Sequence, residues 1–212
     1  MIDAAMIIKS ILVGAFGVNC WFVANEKTRE TIIIDPGDEA RRIISECEKN
    51  NFAPAAILLT HGHFDHILAA EEVKNHFKIP VYAFKTEAEL LYDPATNASE
   101  MVARPVRLAA DRLLADETEF MLAGFEIKTI STPGHTAGSC CYYFESENAL
   151  FTGDTLFKGS YGRTDLPTGN QSQIEASIKI KLFALPDAVK IYPGHGGESD
   201  IGTEKKTNMI LK

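Results

Sequence analysis

The chain lacks the features of a membrane-spanning or exported protein. No apolar run approaches the ~18 residues that cross a bilayer. The first residues, Met1 to Ala5, carry no basic stretch of the kind that opens a signal peptide. These absences predict a cytoplasmic protein with no membrane partner.

Basic residues are in the minority. Lysine and arginine number 21 against 29 aspartates and glutamates, for a formal net charge of -8. Nucleic-acid-binding proteins usually carry a basic stripe, so the balance argues against nucleic acid as a partner. Apolar residues make up 45% of the 212 positions, enough for a core, and no linker or low-complexity segment interrupts them. We expect one domain over residues 1–212, and nothing in the sequence predicts an oligomeric state.

Cysteine is scarce, and its spacing matches no common redox or metal motif. The four cysteines are Cys20, Cys47, Cys140 and Cys141, with no CxxC pair among them. In a strand, the adjacent Cys140 and Cys141 would point to opposite faces. We therefore expect four reduced cysteines that serve as packing residues.

Hydrophobic periodicity divides the chain into short strands and helices. The strands are expected at Met6–Val13, Cys20–Ala24, Thr31–Ile34, Ala55–Leu59, Pro80–Ala83, Thr118–Leu122, Phe125–Ile130, Cys140–Phe144, Ala149–Thr152 and, as the last, Ala188–Tyr192. The helices are expected at Asp38–Asn50, at Ala70–Phe77, at Lys85–Asp93 and after a capping box at Ser172–Glu175, with an irregular excursion over Pro94–Arg104. Two runs of strands, each followed by helices, favour two sheets packed face to face with helices outside.

The densest chemistry lies in the segment from Thr60 to His66, between a predicted strand and a predicted helix. It contains His61, His63, Asp65 and His66, which include three of the six histidines. Histidine and carboxylate side chains clustered in this way are typical metal ligands. His61 and His63 suit one ion, and Asp65 and His66 a second. The alternative is a polar turn with chance histidines.

Three more strand ends carry a ligand-type residue beside a glycine. These residues are His135, Asp154 and His195. Each alone is more often a structural hydrogen-bonding group, but together they repeat one pattern. His76 remains, and we interpret it as a surface or core residue. Asp35 has two open interpretations: it orients a ligand histidine, or it is a turn aspartate before Pro36.

This ordered set resembles the metallo-β-lactamase superfamily over nearly the whole chain. The resemblance implies an α/β fold, a four-layer αββα sandwich with two metal ions at one edge. It implies that one ion is bound by His61, His63 and His135, the other by Asp65, His66 and His195, with Asp154 bridging both. Asp65 and Asp154 would then be catalytic. The ions would be divalent, zinc with iron or manganese as alternatives.

Within the superfamily, the chain looks like the glyoxalase II-like hydrolases. Antibiotic-cleaving members usually place a cysteine where this chain has Asp154. The loop after Asp154 contains Tyr161 and Arg163, and Arg163 falls at a basic glutathione contact of the longer enzymes, whereas Asp165 replaces an aromatic contact. The resemblance implies hydrolysis of a small-molecule acyl thioester, such as S-lactoylglutathione, by a metal-bound hydroxide, with Arg163 and Tyr161 as substrate-binding residues.

Other functions on this fold remain open. A mononuclear iron persulfide dioxygenase resembles the chain at Gly162–Asp165, although its last histidine usually follows Pro-Ala, and here His195 follows Pro-Gly. Hydrolysis of a lactone or another ester is a further alternative. The third is a non-catalytic metal-binding module.

Overall fold

The computed structural model describes residues 5–212, and the first four residues of the predicted domain lie outside the described part. The strands of the first sheet run in sequence order. They are β1 (Met6–Val13), β2 (Val18–Asn25), β3 (Glu30–Ile34), β4 (Ala53–Leu58), β5 (Val81–Phe84) and β6 (Arg112–Leu114). The first three strands are antiparallel, whereas β3 to β6 are parallel. The carboxyl ends of β3 and β4 therefore lie at the same edge.

The second sheet has the strand order β14-β13-β10-β9-β8-β7. Its strands are β7 (Glu119–Leu122), β8 (Phe125–Ser131), β9 (Cys140–Phe144), β10 (Ala149–Gly153), β13 (Lys190–Pro193) and β14 (Ser199–Asp200), and a separate two-stranded ribbon joins β11 (Leu156–Phe157) to β12 (Ser160–Tyr161). Strands β10 and β13 are parallel, and β8 points the same way because β9 is antiparallel to both β8 and β10. The carboxyl ends of β8, β10 and β13 therefore lie at one edge of the second sheet.

Six α-helices lie among the described residues. They are α1 (Ala40–Lys49), α2 (Phe64–Ile67), α3 (Ala70–Phe77), α4 (Ala88–Tyr92), α5 (Gln171–Ala176) and α6 (Ile201–Thr207). Helix α5 continues through a π turn and a 3-10 turn to Ala184. Within residues 5–212, every helix is too short or too polar to cross a membrane.

The hydrophobic core forms three layers, which confirms the predicted αββα sandwich. Strand β2 is buried on both faces, so its side chains alternate between two of these layers. Phe22 packs toward α1 and α3, where Ile43 and Val73 complete the outer layer. Trp21 packs between the two sheets. The third layer joins the second sheet to the helical segment that begins at α5.

The cysteines follow the same alternation. All four are free and buried. Cys140 joins the layer between the sheets, and Cys141 joins the layer under α5. The prediction of reduced packing residues on opposite faces is confirmed.

Several predicted boundaries were wrong. The capping box at Ser172 is not the helix start, because Asn170 is the N-cap and its side chain accepts a hydrogen bond from the Gln173 amide. The strand at Lys190–Pro193 is not the last, since β14 follows it. Strands β6, β11, β12 and β14 were not predicted, because two or three residues are too few to establish a period.

Candidate functional site

The predicted ligands converge where strands of both sheets end. Thr60 and His61 follow β4, His135 lies between β8 and β9, Asp154 follows β10 and His195 follows β13. Parallel orientation within each sheet brings these ends to one edge, as in other α/β proteins. The strand-glycine-ligand pattern in the sequence therefore corresponds to one location in space.

The first ligand group consists of His61, His63 and His135. Each is at most 3% exposed, and one ring nitrogen from each lies within 4.8 Å of the others. His63 Nδ1 faces His135 Nε2 at 2.8 Å. The His61 ring centroid is 4.9 Å from that of His63 and 4.7 Å from that of His135. Three converging imidazoles are a typical site for a divalent ion.

The second ligand group consists of Asp65, His66 and His195. Its candidate ligand atoms also lie within 4.8 Å of one another. Asp65 Oδ2 is 3.4 Å from His195 Nε2 and 4.0 Å from His66 Nε2. His66 is fully buried, whereas the side chains of Asp65 and His195 are 16% and 27% exposed. Solvent therefore reaches this group through Asp65 and His195.

Asp154 lies between the two ligand groups. Its Oδ1 is 3.3 Å from His66 Nε2. Its Oδ2 is 3.7 Å from His135 Nε2 and 3.5 Å from His195 Nε2. One carboxylate therefore faces both groups, which is the position a bridging ligand requires.

Asp35 orients His66 from behind. His66 Nδ1 donates to Asp35 Oδ2 at 2.9 Å. The same carboxylate accepts the Thr60 backbone N–H at 2.8 Å and the Thr60 hydroxyl at 2.6 Å. Asp35 also adopts φ 52° in the turn before Pro36. Both interpretations of Asp35 are thus correct, because it forms the turn and fixes His66 so that Nε2 faces Asp154.

The predicted substrate residues occupy different surroundings. His135 Nδ1 donates to the backbone carbonyl of Arg163 at 2.7 Å. The Arg163 guanidinium forms a two-bond ion pair with Asp165, at 2.6 and 2.7 Å, and both side chains are exposed. The Tyr161 hydroxyl accepts a hydrogen bond from Gln171 and lies outside the cleft lining among the described residues. The structure thus places the Tyr161 hydroxyl beside α5, and its role in substrate binding stays a prediction.

Sequence reasoning missed the residues that hold the His195 loop. The side chains of Asn19 and Trp21 both donate to the Pro193 carbonyl at 3.0 Å. The backbone N–H of Asn19 also donates to the Gly194 carbonyl at 2.8 Å. A Cβ at Gly194 would collide with Asp154 and His66. Strand β2 thus fixes the loop, and only glycine allows this close approach.

A buried carboxyl group, also missed, joins the loops that carry the first ligand group. Glu87 is 1% exposed, and its Oε1 accepts the Gly62 N–H at 2.8 Å. Its other oxygen lies against Gly138, in the loop after His135. Burial raises the pKa of Glu87, although hydrogen bonds from Gly62, Thr136 and Gly138 oppose that shift. Glu87 therefore connects two ligand loops.

The first ligand group is neutral before any ion binds. Burial lowers the pKa of His61 far below its usual value, and the neighbouring His66 and His135 add to this. Burial, and then His135, lower the pKa of His63 to about 3. Burial lowers the pKa of His135 as well. Neutral imidazoles are the form that binds metal, so this group is ready at neutral pH.

The second ligand group has the opposite electrostatics. Burial opposes a proton on His66, but Asp154 and Asp35 outweigh it and raise the pKa. Burial likewise opposes a proton on His195, whose pKa is raised by the hydrogen bond with Asp65 and by Asp154. Although burial favours the neutral acids, His66 lowers the pKa of Asp65 and of Asp154. A cation that binds here therefore competes with protons more strongly than one that binds the first ligand group.

A cleft of about 330 Å³ opens onto both ligand groups. Asp65, Asp154 and His195 form part of its floor. Its walls are mainly apolar and come from Phe16, Phe64, Phe157 and Leu166, with Arg163 at one side. A substrate carbonyl placed here would lie beside the carboxylates and imidazoles.

The donor set fits divalent metal ions. The buried Nε2 atom of His61 has no hydrogen-bond partner among the described residues, and His63 turns its Nδ1 toward the Nε2 atom of His135. An unpaired buried polar atom is costly unless a ligand satisfies it. Asp35 also lies within 4.8 Å of His61 and His66, but its two oxygens already accept three hydrogen bonds. His76 is exposed on α3 and packs against Phe77, as a surface residue.

Comparison of the sequence with known proteins gives a consistent result. Residues 13–195 match the metallo-beta-lactamase superfamily. The chain is 38% identical over 205 residues to the probable metallo-hydrolase YqgX of Bacillus subtilis, with 94% of each chain covered. It is 35% identical over 209 residues to the hydroxyacylglutathione hydrolase GloC of Haemophilus influenzae, and the alignment covers 97% of this chain and 98% of that one.

Solved structures agree with the sequence comparison. The BLEG-1 B3 metallo-beta-lactamase superposes with a TM-score of 0.92 at 39% identity, covering 97% of this chain and 99% of that chain. TTHA1623 in a di-iron-bound form superposes with a TM-score of 0.84 at 31% identity, covering 96% of this chain and 100% of that chain. ETHE1 from Myxococcus xanthus superposes with a TM-score of 0.78 at 26% identity, covering 96% of this chain and 84% of that chain. Fold, ligand arrangement and sequence likeness agree, and the chain belongs to the metallo-beta-lactamase superfamily.

Proposed function

We propose that this protein is a binuclear metal-dependent hydrolase of acyl thioesters. The observation that carries the proposal is the position of Asp154, which faces the first ligand group with one oxygen and the second with both. An arrangement with two ligand groups around one carboxylate suits two ions. The likeness to GloC supports a thioester as the bond that is cleaved.

Two divalent ions, zinc with iron or manganese as alternatives, would acidify a water molecule and polarise the substrate carbonyl. Their ligands would be the first ligand group, the second ligand group and Asp154. Asp35, Thr60 and the Arg163 carbonyl hold the imidazoles of His66, His61 and His135 by hydrogen bonds on the side away from the centre. Each of these rings therefore keeps one nitrogen directed at the centre.

The remaining chemistry falls to residues of the cleft. Asp65 lines the cleft and its lowered pKa keeps it ionised at neutral pH, so the carboxylate oxygen that does not hold the ion can accept a proton from the attacking water. The water oxygen bonds to the acyl carbon while the proton that the water loses passes through Asp65 to solvent. The C–S bond breaks, and its electron pair leaves on sulfur. A thiol has a pKa of about 8.5, so the thiolate departs without a strong general acid. Phe157 and Leu166 restrict solvent around the reacting bond.

Arg163 is the proposed anchor for a negative charge on the thiol half of the substrate. It lines one side of the cleft and is paired with Asp165. An anionic group would have to compete with Asp165 for the same planar guanidinium. Binding at this point is therefore weaker than a free arginine would provide.

One alternative function has a specific observation in its favour. The likeness to TTHA1623 in a di-iron-bound form supports iron as the metal. With a single iron ion, the reaction would be the persulfide oxidation that the sequence left open. Against this, both ligand groups are complete. The likeness to BLEG-1 adds β-lactams to the substrates that need testing.

The test compares thiol release from S-lactoylglutathione with oxygen uptake on glutathione persulfide, using protein purified without added metal and then loaded with zinc or iron. We expect thiol release with either metal and no oxygen uptake. His66→Ala should abolish thiol release, and the exposed His76→Ala serves as the matched control. Oxygen uptake, or release from a chromogenic β-lactam alone, would contradict the proposal.

A further inference from the structure

A second pocket of about 200 Å³ adjoins the cleft. The two cavities share Phe16, Phe64 and Asp65 as lining residues. The Phe16 and Phe64 rings pack edge to face with centroids 5.1 Å apart. A ligand could therefore extend from the cleft into the second pocket along this ring pair without leaving the protein surface.

The walls of the second pocket are mostly apolar. Their apolar residues come from three separate parts of the chain: the end of β1 with the turn after it, the helix α2 with the residue that follows it, and the 3-10 turn within the irregular excursion. The apolar side chains are Val13, Phe16, Phe64, Leu68 and Val102. Phe16 is 57% exposed, although a phenyl ring gains free energy on burial. An apolar ligand would cover it.

The charged residues of the pocket offer nothing to an anionic ligand. Arg104 and Asp38 form a two-bond ion pair at 2.6 and 3.1 Å, so their charges offset each other. This pair also ties the irregular excursion to the loop before α1. The third charged lining residue is Asp65, which belongs to the second ligand group. An uncharged chain therefore fits the pocket better than a polar one.

The two ends of the site differ in polarity, and this sets the direction of the substrate. Arg163 lines the cleft but not the second pocket, and its ion pair with Asp165 is exposed and polar. The polar thiol half suits that side, and the acyl half then points along Phe16 and Phe64. The cleft alone is at the lower end of the range of about 300–1,000 Å³ typical of small-ligand sites, and the second pocket extends it.

We propose that the second pocket is an acyl-chain site and that the substrate is a thioester of an unbranched apolar acyl group. The inference rests on the proposed hydrolase function. A volume of about 200 Å³, at roughly 30 Å³ for each water-sized group, accommodates about six carbon atoms. The preferred acyl group is therefore longer and less polar than a lactoyl group.

The test is a series of acyl thioesters with one thiol and acyl chains from acetyl to octanoyl. Each methylene that enters the pocket should raise kcat/KM about fourfold, which corresponds to ~0.8 kcal/mol. In the wild-type protein, the ratio of kcat/KM for the hexanoyl thioester to kcat/KM for the acetyl thioester should reach up to about 200. Val102→Phe fills the pocket and should reduce this ratio to near one, and the milder Val102→Met should give an intermediate value.

Met101→Phe is the matched control, because Met101 is 76% exposed and adjacent in sequence but lies outside the pocket lining. It should retain the wild-type ratio. A ratio near one in the wild-type protein, or equal ratios in the Val102 and Met101 variants, would overturn the proposal.

Binding of the carboxylate product separates this inference from the proposed function. Calorimetry with the metal-loaded protein should show octanoate binding at least tenfold tighter than acetate in the wild type and in Met101→Phe, but not in Val102→Phe. If no thioester is hydrolysed and this pattern persists, the hydrolase proposal fails and the acyl-chain site stands. If octanoate binds no better than acetate, the acyl-chain site is refuted whether or not thioesters are hydrolysed.

Discussion

Replacing Asp35 with asparagine should weaken metal binding without removing any ligand. Asp35 is 1% exposed and accepts three hydrogen bonds, from the Thr60 N–H, the Thr60 hydroxyl and His66 Nδ1. Asparagine keeps one acceptor oxygen and puts an NH₂ group at the other. If the oxygen stays with the Thr60 N–H, the NH₂ group meets the N–H of His66. His66 must then move or take the other tautomer, with its proton on Nε2.

The magnitude follows from these contacts. Loss of a partner that orients a metal-binding histidine typically costs 10- to 100-fold in metal affinity, or about 1.4–2.7 kcal/mol. Hydrogen bonds to a charged group contribute about 1.5–3 kcal/mol each, and the one from His66 is lost outright. We therefore expect the metal-free Asp35→Asn protein to lose about 2–3 kcal/mol of stability.

The assay is competition with a chromophoric chelator for zinc, with urea unfolding of the metal-free protein alongside. Asp111→Asn is the matched control, because Asp111 accepts a backbone N–H from Val81 and a bond from Lys74 but contacts none of the proposed ligands. We expect the control to bind both ions normally. Equal zinc affinities for Asp35→Asn and Asp111→Asn would refute the idea that Asp35 positions His66.

The remaining predictions concern the ligand groups and the substrate anchor. Asp154→Asn removes the charge that faces both groups; metal analysis should show at least one ion lost, and thiol release should fall by a factor of at least about a hundred with the fold intact. His63→Ala should lose metal from the first ligand group and His66→Ala from the second, and cobalt spectra of the two variants would distinguish these outcomes. Identical and complete loss of metal in both variants would disprove the assignment of the two histidines to different ions. Lowering the pH from about 8 to about 6 should remove metal from the second ligand group first. The raised pKa values of its histidines let protons compete with metal there, whereas the lowered pKa values in the first ligand group keep those rings neutral. Metal analysis after dialysis at a series of pH values measures this order. Arg163→Ala should raise KM for anionic thioesters more than for neutral ones, and Asp165→Asn should lower it by freeing the guanidinium; a fall in thermal stability with unchanged KM would instead assign the pair a structural role.

The part of the site whose residues lie close together in the sequence was predictable. His61, His63, Asp65 and His66 fall within six residues, and a turn between a strand and a helix brings them together. The more distant ligands were recognisable because each follows a strand and a glycine. Apolar runs predicted the strands, and two runs of strands, each followed by helices, predicted the two sheets.

Contacts between distant positions were not predictable. The bonds from Asn19 and Trp21 to Pro193 join residues more than 170 positions apart. Glu87 lies in an ordinary helical segment, and no local pattern indicates that its carboxyl group is buried against Gly62.

The second pocket likewise has no sequence signature. Phe16, Phe64 and Val102 come together only after the sheet and the irregular excursion have formed. The orientation of Tyr161 was likewise not predictable, since it depends on a two-residue strand.

The most direct test of the central claim is thiol release as zinc is added stepwise to the metal-free protein. If the two ligand groups act together around Asp154, the rate should continue to rise until two zinc ions are bound per chain and then stay constant. Saturation at one zinc ion per chain, or thiol release without any metal, would contradict the binuclear site.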